Sequence, residues 1–223
     1  MIGQPEPEHR DTVVFIHGLW MTGMELFFLR RMVRDAGYAT EQFSYRTMAG
    51  TLDENARSLR DFLQAVPDGP VHLVAHSLGG LLTLYLFDQL KFRTNGKLVF
   101  LGSPVCGSQA ARAFASNRLG EVILGRSGQE GLLQESRPEW RHANPLGIIA
   151  GTRGLGVGAA VSDLEKPNDG AVAVSETRIP GAHDRIEMEV THASMLMSRA
   201  VGEQVIHFLR QSCFDHAPPG DDS

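Results

Sequence analysis

Val74-Ala75-His76-Ser77-Leu78-Gly79-Gly80 lies between the apolar run Val71-His72-Leu73-Val74-Ala75 and a strongly apolar stretch from Leu78 to Leu90. The first run reads as a buried strand and the second as a helix directly behind it. A serine at such a junction must turn sharply, and its hydroxyl then stands above the edge of the sheet. The turn draws together the residues two before and two after the serine, so both must be small. Here they are Ala75 and Gly79, and the single extra methyl of alanine fits a slightly relaxed turn. The helix N-terminus behind Ser77 would offer free N–H groups and a positive dipole end to a developing oxyanion. A serine that merely caps a helix is the plainer alternative.

Upstream, Val13-Val14-Phe15-Ile16 is a second buried strand ending at Gly18, and Met24 to Val33 has helical periodicity up to Gly37. Tyr38 to Tyr45 is a weaker strand, and Leu52 to Val66 a helix stopped by Pro67. Downstream, Leu98 to Leu101, Leu146 to Ala150 and Ile186 to Val190 are strand-sized runs. A short alanine-rich helix is expected near Gln109 to Ala115, and a closing helix from Ala193 to about Leu209. Strands alternating with helices predict an α/β fold: a mostly parallel central sheet of about six strands with helices on both faces. Continuously apolar strands fit a sheet covered on both sides.

The chain has 223 residues, which suits one domain. We expect a core of about residues 12–210, a short and mobile lid or insertion at about 106–145, and a flexible tail at about 215–223. Net charge is −5 with Lys and Arg scattered, so the basic patch of a nucleic-acid binder is missing. No apolar run is long enough to span a membrane. Met1 to Asp11 has no signal-peptide h-region, so the expected location is cytoplasmic. Cys106 and Cys213 do not make a disulfide framework, and the oligomeric state is left open.

A serine hydroxyl is a poor nucleophile unless a base adjoins it, and the base needs an orienting carboxylate. In the order Ser, Asp or Glu, His, both partners lie downstream. His192 follows the strand Ile186 to Val190 and falls on a loop at its C-terminal end. His183 precedes that strand and belongs to the opposite edge, while His142 and His207 fall in a polar loop and mid-helix. For the acid we choose Asp169, in the turn Lys166-Pro167-Asn168-Asp169-Gly170, over Asp163 and Asp184. Asn-Asp-Gly is also a common turn composition. Phe15-Ile16-His17-Gly18-Leu19-Trp20 runs from strand into loop, and such a loop supplies a backbone N–H to an oxyanion hole. The two donors are then the N–H groups of Leu19 and Leu78. His17 is read as orienting the loop, and Trp20 and Met21 as lining the substrate site.

His17-Gly18, Ala75-His76-Ser77-Leu78-Gly79-Gly80, Asn168-Asp169-Gly170 and His192 occur in the order found in small bacterial lipases and esterases of the α/β-hydrolase superfamily, which the chain resembles from about Thr12 to Leu209. Leu101-Gly102-Ser103-Pro104-Val105-Cys106-Gly107-Ser108 is similar to a segment of lipases related to GPI inositol-deacylases, with Val105 where those relatives often carry histidine. The resemblance implies a carboxylic ester hydrolase acting on a small-molecule or lipid ester through an acyl-enzyme on Ser77, with His192 and Asp169 completing the triad. It implies no cofactor, and no metal motif such as H-E-x-x-H is present. Acyl transfer to another acceptor, thioester cleavage, or a non-catalytic ligand-binding scaffold are the alternatives. A rival from another class is a dinucleotide site, because Gly154-Leu155-Gly156-Val157-Gly158-Ala159 matches G-x-G-x-x-A with Glu176 about 20 residues on. Pro167 cuts short the helix that such a site needs.

Overall fold

The computed structural model describes residues 11–67, 69–115, 118–133, 137–155 and 164–217. Six strands form one sheet: β1 (Thr12–Ile16), β2 (Ala39–Phe43), β3 (Val71–His76), β4 (Leu98–Leu101), β5 (Leu146–Gly151) and β6 (Asp184–Met188). Their order is β2-β1-β3-β4-β5-β6, and every neighbouring pair is parallel. The chain steps outward from β1 to β2, then crosses back so that β3 pairs with the other side of β1. Such a reversal opens a crevice beyond the C-terminal ends of β1 and β3. Ile16 pairs with Ala75, so the segments beginning at His17 and at His76 emerge side by side.

Alternation along the strands divides the core in two. Val14, Ile16, Leu73, Ala75 and Phe100 face one side, and Val13, Phe15, Val74, Val99 and Leu101 the other. The first side is covered by α2 (Leu52–Gln64) and α3 (Leu78–Asp88), the second by α1 (Phe27–Asp35) and α6 (Arg199–Gln211). The edge strands are the polar ones, with Glu41 and Gln42 on β2 and Asp184, Arg185 and Glu187 on β6, which discourages edge pairing. Helix α2 starts at a capping box, where Thr51 accepts the Glu54 N–H and Glu54 accepts the Thr51 N–H. Helix α3 is apolar all round because the sheet lies on one side and α2 and α5 (Arg118–Leu132) lie on the other.

The insertion between β4 and β5 differs from expectation by an element. Beside the short α4 (Gln109–Phe114) it holds the longer α5, which four glycines hid. Gly125, at φ 63, interrupts α5 where the backbone of Met48 crosses. A Cβ at Gly128 would lie 3.5 Å from Leu19, and one at Gly131 would lie 3.1 Å from Leu78. The tight position is Gly131, where α5 meets the start of α3, while Gly128 lies at ordinary contact distance from Leu19 on the loop after β1. The closing helix also starts later than its apolar pattern suggests. A 3-10 turn (Ser194–Met197) intervenes, and Ser198 caps α6 by accepting the Val201 N–H. In the tail, Asp215 N–H donates to Gln204 and His216 hydrogen-bonds Asp184. Residues 218–223, residues 1–10, Asp163 and the 156–159 part of the glycine fingerprint lie outside the described residues. No helix among the described residues is long and apolar enough to cross a membrane.

Candidate active site

β3 ends at His76 and α3 begins at Leu78, which leaves Ser77 alone to reverse the chain. It does so at φ 53 and ψ −121, a conformation an L-residue holds only when its surroundings impose it. The Ser77 N–H donates to Leu101 O at 2.9 Å, and Ser77 O accepts the Gly80 N–H at 3.0 Å. A Cβ at Gly79 would stand 2.6 Å from Ile16 O and 2.8 Å from His17 O. Both obstacles are backbone, so Gly79→Ala is expected to cost about 1–3 kcal/mol in urea unfolding. Ala75, the other small position, is buried in register with Ile16 and Phe100.

His192, on the loop after β6, places Nδ1 2.7 Å from Oδ2 of the buried Asp169. The other carboxylate oxygen of Asp169 accepts the N–H groups of Ala171 (2.9 Å) and Val172 (2.7 Å). The His192 N–H also donates to Asp169 O at 2.8 Å, so backbone and side chains join the two residues. Gly102, at φ 52, permits the end of β4 to pass beneath them; a Cβ there would lie 2.9 Å from Asp169 Oδ2. The ring of His76 packs 4.5 Å from that of His192, and its Nε2–H donates to His192 O at 3.2 Å. Sequence reading overlooked this contact, because alternation alone makes His76 an ordinary buried strand residue.

The competing residues within the described part of the chain sit elsewhere. Asp184 accepts the Phe214 N–H and binds His216 at the start of β6, and His183 contacts the start of β5. His142 pairs with Asp88, and His207 donates to Cys213 O. Glu176, the ribose ligand of the dinucleotide reading, is buried and accepts backbone N–H groups from Gln109 and Ala173.

The loop after β1 is braced by His17. Its Nε2 accepts the Tyr45 N–H (3.3 Å), leaving Nδ1–H to donate to Gly18 O (2.9 Å). The rings of His17 and Tyr45 stack at 4.5 Å, and Tyr45 Oη donates to His17 O. Gly18 passes so close to the elbow that a Cβ would lie 2.9 Å from Ser77 Cβ. Beyond it the Met21 N–H returns to Gly18 O, and Trp20 takes φ 60, a turn position that favours glycine. Neither the Leu19 nor the Leu78 N–H meets a protein acceptor among the described residues.

Ser77, His76 and His192 open on a cavity of about 200 Å³. Leu19, Trp20 and Met21 wall one side, Ala171 and Val172 another, and Ala110, Ala111, Phe114, Leu124 and Leu132 come from α4 and α5. A wider groove of about 530 Å³ between Arg60 and Asn95 borders the start of β3, away from this edge. Among the described residues no group of three or more His, Cys, Asp or Glu side chains could hold a metal ion.

Burial holds His17, His72 and His76 below the ordinary histidine value of 6.5, His76 well below it. The unfolded chain takes up these protons as pH falls through about 6.5, and the folded chain resists them. Stability is therefore lost progressively below that pH. Glu176, raised by burial, acts oppositely at lower pH, one group against three. The urea midpoint is expected to drop between about pH 7 and pH 5.5.

A serine at positive φ between strand and helix and the imidazole of an imidazole–carboxylate pair thus line one cavity at the C-terminal edge of a parallel α/β sheet. The chain belongs to the alpha/beta hydrolase family, whose sequence profile matches residues 13–200. Solved structures similar to it include the mature lipase BlEst2 of Bacillus licheniformis, at TM-score 0.69 and 18% identity over 92% of this chain and 93% of that one. Others are the metagenomic carboxyl esterase MGS0156 (TM-score 0.60, 19% identity, 86% and 70% covered) and a bromoperoxidase from Bacillus anthracis (0.65, 14%, 90% and 92%). At these identities the likeness establishes the fold. No functionally curated protein has a significantly similar sequence.

Proposed function

We propose that this protein is a serine hydrolase that cleaves carboxylic esters through an acyl-enzyme. The observation that carries the reading is the 2.7 Å contact between His192 and Asp169, opening on one apolar cavity with Ser77. Asp169 fixes the proton on Nδ1, so Nε2 presents its lone pair. His192 takes the Ser77 proton as Oγ attacks the ester carbonyl, and the imidazolium is stabilised by the carboxylate. The Leu19 and Leu78 N–H groups receive the oxyanion, Leu78 with the dipole of α3 behind it. His192 then protonates the departing alkoxide, and in the second half it activates water to release the acid. Trp20 and Met21 contact the substrate at the rim.

The apolar lining of the cavity suits an acyl chain. Turnover of p-nitrophenyl esters of increasing acyl length, beside matched thioesters and with or without an alcohol acceptor, tests the reading. Hydrolysis of these esters, with no faster thioester cleavage or alcohol acylation, is expected. No turnover of any ester, or faster thioester cleavage or alcohol acylation, would contradict it.

A further inference from the structure

Glu176 is a buried carboxylate that the proposed reaction does not use. Its Oε1 accepts the Gln109 N–H at 2.6 Å, and its Oε2 accepts the Ala173 N–H at 2.9 Å. Gln109 is the first residue of α4, and Ala173 closes the loop that carries Asp169 by bridging to Asn168. A third bond, from Cys106 N–H to Glu176 O at 3.0 Å, ties down the turn before α4. The carboxylate thereby joins two walls of the cavity, Ala110 and Ala111 on one side and Ala171 and Val172 on the other. Ala171 and Val172 also donate the N–H groups that hold Asp169 Oδ1. Burying an anion is costly unless its hydrogen bonds and charge are used. Burial pushes the Glu176 carboxyl up, while the two N–H donors and Arg112 pull it down and Asp169 adds to the rise.

We propose that Glu176 is a positioning residue that clamps α4 to the Asp169 loop and so keeps Asp169 aimed at His192. This rests on the reading of Ser77, His192 and Asp169 given above. Glu176→Gln keeps the shape but turns an amide NH₂ toward one of the two N–H donors, so one end of the clamp opens. Turnover is counted per site titrated with a fluorophosphonate, which removes any loss of folded protein from the comparison. The expected result is a kcat per site lower by about tenfold with KM changed less than about twofold, because the apolar lining is kept and the aim of the imidazole is lost. The downfield proton NMR resonance of the His192–Asp169 hydrogen bond is expected to shift or broaden with it. Unchanged kcat per site with an unchanged resonance would overturn the proposal.

If Glu176→Gln does not fold, Gln109→Pro decides. Proline is tolerated at a first helical position, and Ser108 before it is already extended at φ −119 and ψ 117. This variant deletes the Gln109 N–H from the clamp, whereas Gln109→Ala loses only the exposed side-chain contacts with Glu165. A kcat per site lower in the proline variant than in the alanine variant supports the clamp, and equal values overturn it. If wild type titrates no serine at all, the Ser77 reading fails, and the NMR resonance alone still decides for or against the clamp.

Discussion

Replacing Ser77 with alanine is expected to lower ester kcat by about six orders of magnitude, the loss a serine nucleophile shows in an unrelated hydrolase. Alanine removes Oγ and nothing that holds the elbow. The bonds from Ser77 N–H to Leu101 and from Gly80 N–H to Ser77 O are backbone bonds and persist. The variant should therefore fold, with an urea midpoint close to wild type, and bind esters without turning them over. A serine that only capped α3 would behave differently: its loss would cost stability and leave turnover alone. Here no side-chain cap from Ser77 is formed, which removes that explanation. Steady-state kinetics and urea unfolding on the same preparation separate the two roles.

Asp169→Asn is expected to lower kcat by about four orders of magnitude with little change in fold. The direction follows from where the hydrogen bonds go. Oδ1 of Asp169 is held by the Ala171 and Val172 N–H groups, so the amide oxygen of asparagine must occupy that side. Its NH₂ then faces His192 Nδ1, which stands 2.7 Å from that carboxylate oxygen in the native protein. Two donors cannot share that contact, so the imidazole moves its proton to Nε2 and can no longer accept one from Ser77. Asp184→Asn, on a carboxylate that holds Phe214 and His216, should leave kcat within a factor of about two. An acid at Asp184 would reverse the two results.

Much of the candidate site was legible because chemistry restricts residue types along the chain. The elbow needs small residues at 75 and 79, the loop after β1 needs Gly18, and the base needs a loop at a C-terminal strand end. Those demands are local, and each left a mark in the residue order. What stayed hidden depends on distant neighbours. Glycines 125 and 131 read as helix breakers, yet they admit Met48 and Leu78 against α5. Glu176 satisfied a dinucleotide spacing, and only the folded contacts with Gln109 and Ala173 reveal its place. His76 reads as a core residue on β3, and its contact with His192 spans 116 positions of chain.

Labelling the folded protein with a fluorophosphonate and mapping the modified peptide tests the central assignment most directly. The expected result is a single adduct on Ser77, absent from Ser77→Ala and greatly slowed in His192→Ala. An adduct on another residue, or no adduct on protein shown to be folded, would contradict it.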